Sequence, residues 1–252
     1  MLNIIVPMAG AGSRFAKAGF VDPKPLIKIH GIPMIRVVIE NLRPCVPHRF
    51  IFVVQRSHAI AYDLKNKLES WAPGCALVEL DGLTEGAACT VLAAKELIND
   101  DNQLMIANSD QYVDCKIDTY LAKLDQDSLD GLIMTMKADD PKWSYVGLGK
   151  GSLAERVVEK EVISDEATVG IYNFRRGADF VSAAEHMIYA NERVNGEFYV
   201  APVYNKLIGA NQAIGIYNIG SEAKGMYGLG IPADLELFLN LPLSSAATKE
   251  LM

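Results

Sequence analysis

In the first half of the chain, apolar residues come in short unbroken runs, separated by stretches whose apolar positions recur at helical spacing. Residues 2–8 form such a run and stop at small residues; 49–55 (RFIFVVQ), 75–80 and 103–108 (QLMIAN) read the same way. Runs of this length without alternation predict strands buried on both faces. Between them the spacing predicts helices over 33–42 (PMIRVVIENL), 59–68 and 86–98 (GAACTVLAAKELI). Pro33 suits a first turn, and the third helix should close at Asn99-Asp100-Asp101. Strands alternating with helices imply βαβ units, hence an α/β fold on a doubly wound, mostly parallel sheet.

After Asp130 the texture changes. Short strands are predicted at 131–137 (GLIMTMK), 145–148 and 156–160 around a glycine-rich turn, and 167–174 (ATVGIYNF) alternates. A helix at 178–189, a late strand at 213–219 and a short helix at 232–240, with Pro232 early in it, complete the pattern. No linker, low-complexity tract or repeat interrupts the chain, so residues 1–252 are expected to form one domain.

Composition narrows the classes. The chain has 252 residues, 50% of them hydrophobic, enough for a large core. A net charge of −7 excludes the basic footprint of a nucleic-acid binder, so any functional positive charge should be local. Cys45, Cys75, Cys89 and Cys115 form no C-x-x-C pair and match no zinc spacing; free thiols in a reducing compartment are expected. His30, His48, His58 and His186 are scattered, without an H-E-x-x-H. The apolar start at Met1 to Ala11 is short for a signal peptide and lacks a basic flank, and no run is long enough to span a membrane. A soluble cytoplasmic protein is the expectation.

Candidate chemistry begins where the first strand ends. Ala9-Gly10-Ala11-Gly12-Ser13-Arg14-Phe15 places a bare-backbone loop after a strand, a common way to offer main-chain N–H groups to a phosphate. It is an incomplete dinucleotide fingerprint, because Phe15 stands at the third glycine, and no G-K-[ST] makes it a P-loop. A plain strand-to-helix turn reads equally well from the glycines alone. Two cations favour the phosphate reading. Arg14 can fork two phosphate oxygens, and Lys24 is a point charge stiffened between Pro23 and Pro25.

Gly-x-Gly-Ser-Arg-Phe followed by Pro-Lys-Pro-Leu resembles the signature of the sugar-1-phosphate nucleotidyltransferases, or nucleoside-diphosphate-sugar pyrophosphorylases. The resemblance implies the Rossmann-like nucleotide-diphospho-sugar transferase fold, with residues 1–129 binding the nucleotide and 130–252 the acceptor. It implies that Ala9, Gly10, Ala11, Gly12, Ser13 and Arg14 cradle a nucleoside triphosphate and that Lys24 sits at the phosphate under attack. Thr84, Glu85 and Gly86 fall where the family binds base and ribose, Gly86 letting the base approach the backbone; Thr84 also reads as a helix cap. Asp110, after Asn108-Ser109 at a strand end, is similar to the family's magnesium-binding aspartate, and a carboxylate there suits Mg2+ bridging phosphates.

On the acceptor side, Val157-Val158-Glu159-Lys160 resembles the family's Glu-Lys motif, without its following proline. Glu159 would accept hydrogen bonds from sugar hydroxyls, and Lys160 would meet the acceptor phosphate. Gly147, Gly170 and Asn173 resemble acceptor-pocket positions; Gly196-Glu197-Phe198-Tyr199 reads as pocket or as core. A second metal-binding aspartate is expected near the C-terminus, but Gly228 stands in its place and Asp234 reads as a first-turn helix residue.

The implied reaction is nucleotidyl transfer to a sugar 1-phosphate with pyrophosphate released, at Mg2+, within nucleotide-sugar biosynthesis for cell-surface polysaccharides. Two alternatives stand beside it: cytidylyl transfer to phosphocholine or a polyol phosphate, and a non-catalytic nucleotide-sugar-binding regulator. Partners are then a triphosphate and a small phosphorylated acceptor, with neither nucleic acid nor membrane; the sequence is compatible with a homo-oligomer.

Overall fold

The computed structural model describes residues 1–251. Its first half contains strands β1 (Leu2–Pro7), β2 (Lys28–Ile29), β3 (Ile32–Pro33), β4 (His48–Gln55), β5 (Ala76–Leu80), β6 (Gln103–Ala107) and β7 (Gln111–Val113). The second contributes β8 (Gly131–Lys137), β9 (Ser144–Leu148), β10 (Ala154–Glu159), β11 (Glu166–Phe174), β12 (Ile214–Glu222) and β13 (Gly225–Gly228). Helices α1 (Ser13–Lys17), α2 (Met34–Leu42), α3 (Arg56–Ala61), α4 (Leu64–Trp71), α5 (Ala87–Leu92) and α6 (Lys95–Ile98) fill the first half. Then come α7 (Ile117–Gln126), α8 (Gly177–Tyr189), α9 (Tyr204–Gly209), α10 (Pro232–Leu239) and α11 (Pro242–Lys249).

One sheet runs through the molecule in the order β5-β4-β1-β6-β11-β8-β12-β13-β7, with β9 bridging β10 to β11. The expected α/β class is borne out, and β5, β4, β1 and β6 pair in parallel as their unbroken apolar runs require. Strand β11 then runs antiparallel between β6 and β8, which joins the two halves of the chain in one sheet. All nine of its residues are buried, and its register against β8 slips between Thr168 and Tyr172, around Gly170 at φ +81°.

Both faces of the sheet carry apolar core, one centred on Ile4, Phe52 and Tyr120, the other on Ile5, Phe174 and Phe198. A third cluster holds the loops that carry Arg14 and Lys24. Phe15 of α1 packs with Ile29, Met34, Leu229 and Phe238, so the C-terminal helices α10 and α11 clamp the segment that carries Arg14 and Lys24. His30 Nε2 and Ser244 Oγ, 2.8 Å apart, pin the same contact. Burying Phe15 alone stabilises this clamp by about 2 kcal/mol.

Three departures from the sequence pattern have local causes. The helix expected over 59–68 is split at Asp63, which sits in the left-handed region at φ +51°. The helix over 86–98 breaks at Ala94, so α5 and α6 are separate turns. Strands β2, β3, β7 and β13 are two to four residues long and carry no periodicity. Among the described residues no helix is long and apolar enough to cross a membrane.

Candidate active site

The loop after β1 is built to leave its amides free. Met8 N–H still donates to Val53 C=O, and Gln55 Nε2 supports Ala9 C=O at 2.7 Å. From Ala9 to Arg14, no main-chain N–H donates to a protein acceptor among the described residues. Gly12 makes this path possible: it is left-handed at φ +60°, and a Cβ there would lie 3.5 Å from Lys24 Cβ. A run of unpaired amides next to an exposed arginine is an anion cradle.

Lys24 opens a single 3-10 turn between Pro23 and Pro25 and reaches Asp110, Nζ to Oδ2, at 2.8 Å. Asp110 follows β6, and its carbonyl accepts Leu229 N–H at 2.8 Å, so the C-terminal segment holds it in place. Gly230 leaves its carboxylate uncovered, since a Cβ there would lie 2.6 Å from Oδ2. Ala9, Gly10, Ala11, Arg14, Lys24 and Asp110 line a cavity of about 480 Å³ that also includes Met8, Leu83, Thr84 and Thr90.

A second cavity of about 500 Å³ adjoins it, and the two share Arg14, Ala87, Asn108 and Glu197. Its floor is Glu159, only 8% exposed, which accepts a hydrogen bond from Ser144 Oγ. Burial pushes the Glu159 carboxyl above its usual range, with Ser144 and the charge of Lys160 pulling the other way. Lys160 is left-handed at φ +58°, its N–H donating to Trp143 C=O at 3.0 Å. That turn aims its Nζ at Tyr199 Oη, 2.9 Å away, and the hydrogen bond raises the ammonium's pKa.

The sequence expectations divide accordingly. Ala9, Gly10, Ala11, Arg14, Lys24, Thr84, Gly86 and Asp110 line the first cavity; Glu159, Lys160 and Gly170 line the second. Gly12 and Ser13 line neither and shape the loop from behind. Glu85 turns outward to Arg193 at 2.7 Å. Gly147 lies in β9 facing Ile163 and Arg156, away from the cleft. Asn173 is not brought to the site: it is 0% exposed in β11, and its amide group has no hydrogen-bond partner.

The reason for Gly86 also differs from the expectation. A Cβ there would lie 2.4 Å from Phe198 C=O, so the glycine admits a neighbouring main chain, while Gly86 itself still lines the first cavity. The hydrogen bonds Phe198 N–H to Glu85 C=O and Ala88 N–H to Phe198 C=O seal that crossing. Gly86 itself is the N-cap of α5, without a side-chain cap; Thr84 instead donates to Gly86 C=O at 3.0 Å and meets Thr90 Oγ1 at 2.6 Å. The crossing splits the 196–199 segment: Phe198 is core, whereas Glu197 and Tyr199 face the cleft.

Sequence reasoning missed Lys142, Trp143, Ser144 and Thr168 in the second cavity. Trp143, one of two tryptophans, stands in the polar stretch Asp139-Asp140-Pro141-Lys142, an odd place for a core residue and the one usable signal. Asp234 lies in the first turn of α10, as its place in the sequence predicts. Its carboxylate is turned toward Gly228, where a Cβ would lie 3.1 Å from Oδ2. Burial and Glu222 raise its pKa, against Lys142 and Arg14.

The chain is 26% identical over 98% of its length to the bifunctional protein GlmU of Methanococcus maripaludis strain C5, covering 57% of that relative. It therefore spans little more than half the length of the curated relatives it matches. Its fold is similar to a nucleoside-diphosphate-sugar pyrophosphorylase from Vibrio cholerae RC9 (TM-score 0.79, 25% identity, 94% of this chain and 100% of that one). It is also similar in fold to the inositol-1-phosphate CTP transferase from T. maritima (TM-score 0.76, 16% identity, 98% and 95% covered). A sequence model described as nucleotidyl transferase matches residues 3–197, and the chain belongs to that family.

Proposed function

We propose that this protein transfers a nucleotidyl group from a nucleoside triphosphate to the phosphate of a small acceptor, most simply a sugar 1-phosphate, and releases pyrophosphate. The observation that carries this reading is the shared wall at Arg14. One cavity offers free amides with Lys24 and Asp110, the adjoining one a buried Glu159 with Lys160, and Arg14 borders both.

An acceptor phosphate oxygen attacks the α-phosphorus, and the bond from that phosphorus to the pyrophosphate bridging oxygen breaks. The attacking phosphate is already largely ionised near neutrality, its second pKa being about 6, so no general base is required. The cleft works by positioning and charge stabilisation. The loop amides and Arg14 hold the triphosphate, Lys24 meets the developing charge, and Lys160 holds the acceptor phosphate. Glu159 and Ser144 take the acceptor's hydroxyls.

Mg2+ fits the donor set: Asp110 offers a hard oxygen left uncovered by Gly230, and triphosphate oxygens would complete the shell. Bound there, Mg2+ would neutralise charge on the phosphates.

A second acceptor class is favoured by the aromatic wall. Trp143, Tyr172 and Tyr199 line the acceptor cavity together with Glu159 and Glu197, a combination that suits a phosphorylated quaternary amine. Pyrophosphate release, measured over a matrix of triphosphates and acceptors that includes sugar 1-phosphates, polyol phosphates and phosphocholine, tests both. Turnover with one matched pair is expected. Nucleotide binding without turnover for every pair would overturn the enzymatic reading in favour of a regulator.

A further inference from the structure

After α8, residues 191–199 run past the cleft as a strap, with Glu197 lining both cavities and Tyr199 the second. Only Phe198 is buried in it, with Val194 and Tyr199 half-buried; the rest is exposed. A segment with so little apolar contact opens easily unless something ties it down. Two devices do so. The first is local: Asn195 and Gly196 are both left-handed, at φ +49° and +83°, and across them Val194 and Glu197 exchange two main-chain hydrogen bonds of 3.0 Å. That is the tight two-residue turn favoured by Asn-Gly.

The second device is Arg193. Its guanidinium donates from Nη2 to Glu85 Oε2 at 2.7 Å, from Nε to Asn191 Oδ1 at 2.7 Å and from Nη1 to Gly196 C=O at 3.2 Å. Its Cζ lies 4.1 Å from the centroid of the Phe198 ring. A lone surface ion pair contributes little to stability. Here one planar fork closes the turn, stacks on the buried ring and reaches the loop of Thr84 and Gly86, which lines the first cavity. Arg193 itself lines neither cavity.

We infer that Arg193 is a positioning residue: it fastens the 194–199 turn to the 84–86 loop and so sets Glu197 and Tyr199 in the cleft. The main-chain bonds of Phe198 to Glu85 and Ala88 fix one point of the strap, and Arg193 fixes its orientation about that point. Tyr199 Oη in turn accepts from Lys160 Nζ at 2.9 Å, so the strap also places that cation. The inference rests on the reading proposed above for the second cavity. The acceptor side of the cleft is then held from the triphosphate side, by a group that touches neither substrate.

The test combines amide hydrogen exchange on the free protein with steady-state kinetics on the substrate pair that the matrix identifies. In Arg193→Ala, exchange over 194–199 should quicken by about tenfold or more, with peptides from β1 and β11 unchanged. Acceptor KM should rise about tenfold and triphosphate KM by no more than about twofold. Glu85→Ala should give part of both effects, because Arg193 keeps its bonds to Asn191 and Gly196. The double variant should be no worse than Arg193→Ala alone, since Arg193 is the one ion-pair partner of Glu85 among the described residues. Unchanged exchange over 194–199, or quickened exchange spread over the whole chain, would overturn the inference. So would an unchanged acceptor KM, or a triphosphate KM that rises equally. Exchange is read on the free protein, so an inactive wild type whose strap is released in Arg193→Ala would defeat the proposed reaction and leave the Arg193 assignment standing.

Discussion

Lys24 Nζ lies 2.8 Å from Asp110 Oδ2, so the cation proposed to meet phosphate and the carboxylate proposed to take Mg2+ hold each other in the free protein. The side chains are 22% and 21% exposed, and such a pair contributes only about 0–1 kcal/mol to stability. Its importance should therefore lie in turnover. Lys24→Ala and Asp110→Ala are each expected to cut kcat by about a hundredfold or more while moving the melting temperature by only a few degrees. Pyrophosphate release at saturating substrates, measured beside a thermal melt, checks this. Near wild-type kcat in either variant would remove both residues from the reaction.

Glu159 carries a pH signature. Its folded carboxyl titrates above the unfolded value because it is buried. A carboxyl raised in this way destabilises the fold where it is ionised, and the cost disappears as pH falls through the folded and then the unfolded value. Glu159→Gln should thus be more stable than wild type at neutral pH, with the advantage shrinking on acidification through the carboxylate range. Urea unfolding at several pH values reads the difference. An advantage that grows toward acid would contradict the burial account.

The glycines separate structural from chemical roles. Gly86 is at φ +133° with Phe198 C=O 2.4 Å from its would-be Cβ, and Gly170 is at φ +81° with Asn108 Nδ2 at 2.1 Å. Alanine at either position combines backbone strain with overlap and should cost about 3 kcal/mol in urea unfolding. At Gly10 nothing lies within 4 Å of a Cβ, so Gly10→Ala should change stability by no more than about 0.5 kcal/mol. Its methyl would instead crowd the triphosphate cradle and raise the nucleotide KM. Equal stability losses in all three variants would refute this division.

These glycines also mark what the sequence makes legible. The side proposed to take the nucleotide is local: strand, loop, Arg14 and Lys24 fall within the first 26 residues, so pattern and spacing point to them directly. The apolar runs of β1, β4 and β6 are legible because a parallel sheet buries both faces. Gly86 is misread because its neighbour, Phe198, is brought to it only by the fold. Asn173 is misplaced for a related reason. Thr168, Gly170 and Tyr172 share one face of β11 and line the cavity, while Asn173 falls on the other face and is sealed into the sheet. Trp143, just before β9, and Ser144, its first residue, line the second cavity, though no local pattern ties them to Glu159; the pairing of β9 with β10 puts Ser144 opposite it.

The choice between the two acceptor classes can be read from three variants together. The Trp143 ring lines the acceptor cavity with Tyr172 and Tyr199, and Lys142 Nζ stands 4.9 Å from its centroid, so the ring face already receives a cation. A desolvated quaternary amine over such a face gains about 2 kcal/mol, or roughly thirtyfold in affinity. A sugar instead draws on hydrogen bonds to the Glu159 carboxylate, each charge-assisted bond contributing about 1.5–3 kcal/mol. For a sugar 1-phosphate, Glu159→Gln should therefore lower kcat/KM for the acceptor by at least about tenfold, and Trp143→Phe should have little effect. For a phosphorylated amine, Trp143→Ala should cause the larger loss and Trp143→Phe should recover part of it. Steady-state kinetics with the acceptor varied at fixed triphosphate distinguish the patterns. If neither position alters acceptor kcat/KM, the cavity around Glu159 is not where the acceptor binds.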